Sequence, residues 1–230
     1  MRFIIMSFEA SMPPESSEPA LRDRILRAYM DYVLNENRQP PSVYIFSKNL
    51  GIAETEFYQI YSSFDAVEAD FWLRQFETAR KKITTDPAWE PFKFRERALL
   101  FAFTLIESLL SDRSFALFSL RSHQSGEVRN APLRRMHQAF DGFFEPLVSE
   151  AIEHGELANR RFLRDHYVDA LWNQTLFVLR FWGKDSSEGF ESTDEAIEKG
   201  FNLTIDLMSR SAIDAAVDYG KFLARNRSDR

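Results

Sequence analysis

The chain has 230 residues, a formal net charge of −6, no cysteine and 22 phenylalanines. The missing cysteines exclude a disulfide-stabilised scaffold, a zinc ribbon and a cysteine nucleophile. A hydrophobic fraction of 44% excludes a wholly disordered chain, and the negative charge argues against a general polyanion binder. No apolar stretch is long enough to span a membrane and no signal peptide is visible, so we expect a cytoplasmic protein.

The first third of the chain combines a polar arm with short helices. Pro, Ser and Glu dominate residues 7–20, so we expect a disordered arm over 1–20. Apolar residues then recur at helical spacing, interrupted by Pro40-Pro41 and by Gly51. This pattern predicts helices over 21–36, from Ser42 to Leu50, over 54–61 and over 63–83.

A break at residues 84–91, marked by two Asp/Glu-Pro steps, predicts a domain boundary. We therefore expect one domain over 21–83 and a second over 84–230. Beyond the break the periodicity predicts helices over 92–110, 113–122, 131–153, 160–183, 193–209 and 212–225. Residues 170–182 are apolar on nearly every side, which indicates a helix buried in a core or in a partner interface. The predicted fold class is all-α.

Residues 42–67 have the pattern of a helix-turn-helix. Two short helices meet at Gly51, with Ile52 placed to fill the turn. Phe46, Leu50, Phe57 and Tyr61 can close one small core around them. This arrangement presents its second helix to the major groove of DNA.

At this point the sequence resembles the TetR family of transcriptional regulators. Ser42-Val43, Phe46-Ser47, Gly51-Ile52 and Phe57-Tyr58 fall on the family pattern without a gap, and the match covers 21–83. The resemblance implies an N-terminal three-helix helix-turn-helix domain and a C-terminal helical domain for ligand binding and dimerisation. It also implies a homodimer that binds operator DNA, with the helices at 160–183 and 193–209 forming a four-helix bundle.

The chain departs from the family pattern in its charge. Glu54, Thr55 and Glu56 stand where the family usually has Lys or Ser, Gly and Thr, and Phe64 replaces a phosphate-contacting Lys. Residues 42–70 contain five acids and one base, Lys48, so their formal charge is −4. Such a face would repel the phosphates that supply most of the affinity for DNA. Arginines in the first helix and before the second offer compensation; they are Arg22, Arg24, Arg27 and Arg38.

Three hypotheses for function remain open at this stage. The first is a homodimeric, ligand-responsive transcriptional regulator. The second is a protein of the same fold that does not bind DNA and binds a hydrophobic ligand or lipid instead. The third is a module whose acidic face docks a basic partner. Glu54 and Glu56 also have a purely structural interpretation, because acids in a first turn favour the helix N-terminus.

We assign candidate site residues from the same patterns. The candidates for DNA contact are Ser42, Tyr44, Glu54, Thr55, Glu56, Tyr58 and Gln59. The abundance of aromatic residues in the second domain suits a small hydrophobic or aromatic ligand, and the candidates to contact it are Phe103, Phe118, Phe140, Phe144 and Trp172. We expect no metal site, no cofactor and no enzymatic activity, because neither a phosphate-binding loop nor a nucleophile motif is present.

Overall fold

The computed structural model describes residues 17–122, 132–160 and 163–209, and within these ranges the chain forms nine α-helices and no strand. The predicted all-α class is therefore confirmed. The helices are α1 (Ser17–Glu36), α2 (Val43–Leu50), α3 (Glu54–Ile60), α4 (Phe64–Thr84), α5 (Phe94–Leu109), α6 (Arg113–Ser122), α7 (Arg134–Glu153), α8 (Tyr167–Trp182) and α9 (Glu191–Met208). Three short 3-10 turns lie at Leu110–Asp112, Arg164–His166 and Glu188–Phe190.

The chain divides into two compact units, Met1–Glu68 and Ala69–Arg230, and the division falls inside α4. The break predicted at 84–91 separates α4 from α5. The domain limits 21–83 and 84–230 stay predictions. Most of the predicted disordered arm (1–16) and the predicted helix at 212–225 lie outside the described residues, while α1 already begins at Ser17.

Local capping explains the helix-turn-helix in the first unit. Ser42 begins α2, and its Oγ accepts a hydrogen bond of 3.2 Å from the Ile45 N–H. Gly51 ends α2 at φ +72°, a left-handed conformation that glycine adopts at little cost. The Glu56 carboxylate accepts the Ala53 N–H at 2.7 Å and so caps the start of α3.

An aromatic core holds the helices of this unit together. Phe46, Phe57 and Phe64 are buried with ring centroids 5.5–6.0 Å apart in edge-to-face arrangements. Tyr29 of α1 stacks on Phe64 at 5.2 Å. Such aromatic pairs add roughly 0.5–1.5 kcal/mol each beyond their area burial. Of the four residues predicted to close this core, Phe46, Phe57 and Tyr61 are buried and Leu50 is half-buried.

The second unit packs α8 against α7 and α9, with α5 also against α9. The predicted helix 160–183 begins later than expected, at Tyr167. The Arg160 guanidinium donates to the carbonyl oxygens of Leu207 and Ser209 at 2.9 and 2.8 Å, and the Ala158 N–H donates to the Met208 oxygen at 2.9 Å. These bonds satisfy carbonyl groups at the end of α9.

Candidate functional site

The outer side of the helix-turn-helix carries most of the residues predicted to contact DNA. Tyr44 and Tyr58 are 57% and 52% exposed, although both are large aromatic side chains. Thr55 and Gln59 are also exposed on α3. Phe57, on the opposite side of the same helix, is fully buried. The predicted set is therefore displayed on the surface of the first unit, except that Glu54 is only half-exposed and Ser42 uses its hydroxyl as a cap.

Two of the five acids between residues 42 and 70 are not on that surface. Glu68 is fully buried and accepts hydrogen bonds from Tyr29 Oη at 2.6 Å and Gln39 Nε2 at 3.2 Å. Asp70 is 4% exposed and forms an ion pair with Arg74 at 2.8 Å. Burial, together with the charge of Glu68, raises the pKa of Tyr29 well above its ordinary range. The formal −4 of this segment thus overstates its surface charge.

The remaining departures from the family pattern have structural explanations. Glu56 is exposed, but its carboxylate is bonded to the Ala53 N–H, as expected for an acid that caps a helix. Phe64, which stands where the family has a lysine, is buried between Tyr29, Phe46 and Phe57. The Phe64 side chain therefore contributes to the core of the first unit.

Exposed bases in the first unit offset these acids. Arg24, Arg27, Arg38 and Lys48 all have exposed side chains. Arg24 Nη2 donates to the Leu50 oxygen at the end of α2, at 2.6 Å. This bond fixes a guanidinium beside the turn between α2 and α3, with Lys48 in the last turn of α2. Positive charge is therefore placed next to the helix-turn-helix although α3 itself contains none.

Three of the residues predicted to contact a ligand are brought together in the second unit. Phe140 stacks on Phe144 at 4.3 Å and meets Trp172 edge-on at 5.3 Å, and all three are buried. Phe101 extends this cluster at 5.7 Å from Phe140 and 5.2 Å from Phe144. The cluster is a closely packed core. Phe103 is half-buried on α5 and Phe118 is buried on α6.

A cleft of about 230 Å³ lies elsewhere in this unit, between the start of α5, the segment after α7 and the end of α9. None of the predicted ligand residues lines it. Its walls are Lys93, Phe94, Arg95, Glu96, Glu156, Leu157 and Ile205. The Phe94 N–H at its edge is already bonded to the Glu156 carboxylate at 2.9 Å.

His137 was not among the residues predicted to contact a ligand. The His137 ring stacks on Trp172 with centroids 4.3 Å apart and planes 9° apart. Its Nε2 lies 3.4 Å from Asp141 Oδ1, one turn along α7. Spacing alone could have suggested the pair with Asp141, but only the packing of α7 on α8 creates the stack.

Exposed apolar side chains lie on α8 and α9. Phe177 of α8 is 51% exposed, and Leu203 and Leu207, four residues apart on α9, are 61% and 48% exposed. The amide group of Gln174 on α8 packs against Gly200 of α9, where a Cβ would lie 1.9 Å from Gln174 Nε2. The helix at residues 170–182, predicted to be buried on nearly every side, is therefore exposed at Phe177.

These features define an all-helical protein with an N-terminal helix-turn-helix and a larger C-terminal helical unit. Residues 97–223, more than half of the chain, match the family model described as tetracyclin repressor-like, C-terminal domain. The chain belongs to this TetR family of transcriptional regulators.

Solved structures share the fold at low sequence identity. A TetR transcriptional regulator from Nitrosomonas europaea ATCC 19718 is 13% identical, with a TM-score of 0.56 over 80% of this chain and 97% of that one. A protein of unknown function from Rhodococcus sp. RHA1 is 11% identical, with a TM-score of 0.57 over 86% and 100%. No curated protein sequence matches the chain.

Among the residues that the structure describes, no helix is both long and apolar enough to cross a membrane. No group of three or more His, Asp or Glu side chains in these ranges is arranged to hold a metal ion.

Proposed function

We propose that this protein is a cytoplasmic, ligand-responsive transcriptional regulator that binds operator DNA as a homodimer. The observation that carries the proposal is the helix-turn-helix of α2 and α3, with Tyr44, Thr55, Tyr58 and Gln59 displayed on its outer side. Family membership supports the same function. The proposal is one of binding and contains no catalytic step.

The charges of the first unit are compatible with this function. Burial of Glu68 and the capping role of Glu56 reduce the repulsion expected from the sequence. Arg24 and Lys48 stand beside the turn, where they can neutralise phosphates on either side of a major groove. The phosphate contacts position the protein, and the residues of α3 contact the bases.

The homodimer would use the apolar face of α8 and α9. Phe177, Leu203 and Leu207 expose an apolar surface that a second copy of the same face would cover. A two-fold dimer presents two recognition helices to half-sites about one helical turn apart, roughly 34–36 Å. This proposed arrangement gives the operator its two-fold symmetry.

The ligand would be small and hydrophobic or aromatic, and it would bind within the C-terminal unit. The cluster of Phe140, Phe144 and Trp172 supplies the apolar lining that such a ligand needs, provided that some of these rings move apart. Binding would favour one dimer arrangement over another. A small change in the separation of the recognition helices would then lower operator affinity.

Selection of binding sites from a random double-stranded DNA library tests the regulator proposal, followed by affinity measurements at several salt concentrations. We expect one enriched two-fold symmetric motif. Lys48→Ala should reduce the slope of log K against log salt by about 2, because the dimer then neutralises two phosphates fewer, one in each half-site. Lys184→Ala, which removes an exposed lysine of the second unit, should leave the slope unchanged.

Failure to enrich any motif would contradict the regulator. It would favour a second function, a protein of this fold that binds a hydrophobic ligand or lipid without binding DNA. The observation that favours this second function is that α3 contains Glu54 and Glu56 and no Lys or Arg. Native mass spectrometry of the purified protein completes the test: a co-purifying hydrophobic molecule together with no enriched motif supports the second function, whereas an empty protein that selects a motif contradicts it.

A further inference from the structure

We propose that Gln59 recognises an adenine in each operator half-site, with thymine methyl groups contacted by Thr55 and Tyr58, so that the base contacts of α3 fall on A·T pairs. This inference rests on the proposed DNA-binding function and specifies its substrate. It comes from the chemistry of the exposed side of α3.

The geometry of α3 selects these three side chains. Thr55 and Gln59 are four residues apart and therefore lie on one side of the helix, with Tyr58 beside Gln59. All three are exposed, and Phe57 on the opposite side is fully buried. Because Phe57 packs α3 against the core of the first unit, the side that carries Thr55 and Gln59 is the one that can face a DNA groove.

Gln59 is available for a bidentate contact. Within the described residues its amide has no hydrogen-bond partner. A glutamine amide has one acceptor and two donors, which match N6–H₂ and N7 of adenine in the major groove. The other bases do not offer that pair of groups in the same order.

Guanine is disfavoured as the partner of this helix. The commonest contact to guanine comes from Arg or Lys, which donate to O6 and N7, and residues 54–60 contain neither. The side chains next to Gln59 are an aromatic ring and, one turn away, a hydroxyl with a methyl group. A methyl or aromatic group gains apolar contact from the C5-methyl of thymine, which guanine and cytosine lack.

Glu56 does not replace these contacts. Its carboxylate accepts the Ala53 N–H at 2.7 Å, and turning it toward a cytosine amino group would leave that N–H without its cap. The residues of α3 therefore have different roles. Phe57 anchors the helix, Glu56 caps it, and Thr55, Tyr58 and Gln59 face outward.

The test uses the full chain and selection from the same random DNA library, with two variants of equal charge. Gln59→Arg replaces the adenine-matching amide with a guanine-matching guanidinium. Gln138→Arg adds the same positive charge at an exposed position of α7 in the second unit. Far-UV circular dichroism and the thermal midpoint check that both variants fold as the unmodified chain does.

We expect the unmodified protein to select an adenine at one position of each half-site. Gln59→Arg should change that position to guanine and leave the others unchanged, with a preference of roughly 5- to 150-fold over adenine. Gln138→Arg should retain the original motif, with its preference for adenine unchanged. A motif without A·T pairs, or an unchanged motif in Gln59→Arg, would overturn the inference and leave the regulator standing. Absence of any motif would refute the regulator and this inference together.

Discussion

Asp185 shows how one carboxylate can organise a helix start. Its two oxygens accept hydrogen bonds from the N–H and hydroxyl groups of both Ser187 and Thr193, at 2.6–2.9 Å. Hydrogen bonds from the Ser187 hydroxyl first, and the Thr193 hydroxyl next, lower the pKa of Asp185 from 3.8 to about 2. The carboxylate thereby ties the 3-10 turn before α9 to the first turn of that helix.

This pKa sets a pH-dependent contribution to stability. Because the folded-state pKa lies below the ordinary value, the stabilisation is complete above about pH 4 and is lost as the pH falls toward 2. Asp185→Asn should therefore lower the thermal midpoint at pH 7, and the difference from the unmodified chain should shrink below pH 4. Asp194→Asn, at an exposed carboxylate of α9, is the control. A difference that stayed equal at pH 7 and at about pH 3 would contradict this account.

At the same scale, Glu68 has an environment that the sequence does not predict, whereas Phe64 has one that it does. The sequence places Glu68 among exposed acids, yet Tyr29, which is 39 positions away, donates to it in the interior. Phe64 stands where a lysine is usual and forms part of the core. The burial of Phe64 agrees with its helical spacing to Val67 and Phe71. The burial of Glu68 does not follow from the local pattern, because it depends on which distant side chains pack at the same place. The capping role of Glu56, in contrast, depends on three neighbouring residues and could be anticipated.

Among the helices, most bounds follow from local signals and agree with the sequence. The start of α2 at Ser42 and its end at Gly51 are examples, since each depends on the capping residue itself. The start of α8 is the exception. The helix begins at Tyr167, and the side chain of Arg160, near the start of the predicted span, bonds to the carbonyl groups at the end of α9. Such long-range contacts leave no periodic signal in the sequence.

Two glycines should respond with opposite sign when replaced by alanine. Gly51→Ala places a Cβ on a residue at φ +72° and should lower the free energy of unfolding by about 1 kcal/mol, although the surrounding space is open. Gly142→Ala lies within α7 with nothing near its Cβ and should raise it by about 0.5–1 kcal/mol. Urea unfolding of both variants measures these changes. An equal effect of both substitutions would show that the left-handed turn after α2 is not the determining factor.

For the molecule as a whole, the exposed face of α8 and α9 predicts self-association. Leu203→Asp places a charge at the centre of the proposed interface and should convert a dimer into a monomer, because an unpaired charge is costly to bury. Leu110→Asp changes an exposed leucine outside that face and should leave the dimer intact. Sedimentation equilibrium measures the mass in each case. A monomeric unmodified protein, or a dimeric Leu203→Asp variant, would contradict the prediction.

The sequence predicts that the second unit contains many aromatic residues, but it does not predict which of them are in contact. Abundant phenylalanine indicated an apolar interior, and the structure brings Phe140, Phe144 and Trp172 into ring contact. It also adds His137 to that cluster, by a stack on Trp172 that no spacing rule predicts. Residues on α7 and α8 become neighbours only through the packing of those helices.

Short-range signals were enough to establish the all-α class, the helix-turn-helix around Gly51 and the family resemblance, because capping residues and apolar periodicity act over a few positions. Only the tertiary structure determines which of the acidic side chains lie at the surface that would face DNA. Of the five acids that appeared to oppose DNA binding, Glu68 and Asp70 are buried with partners and Glu56 caps α3. The net charge of −6 is a property of composition. The field at a surface depends on which charges folding leaves exposed, and long-range packing controls that exposure.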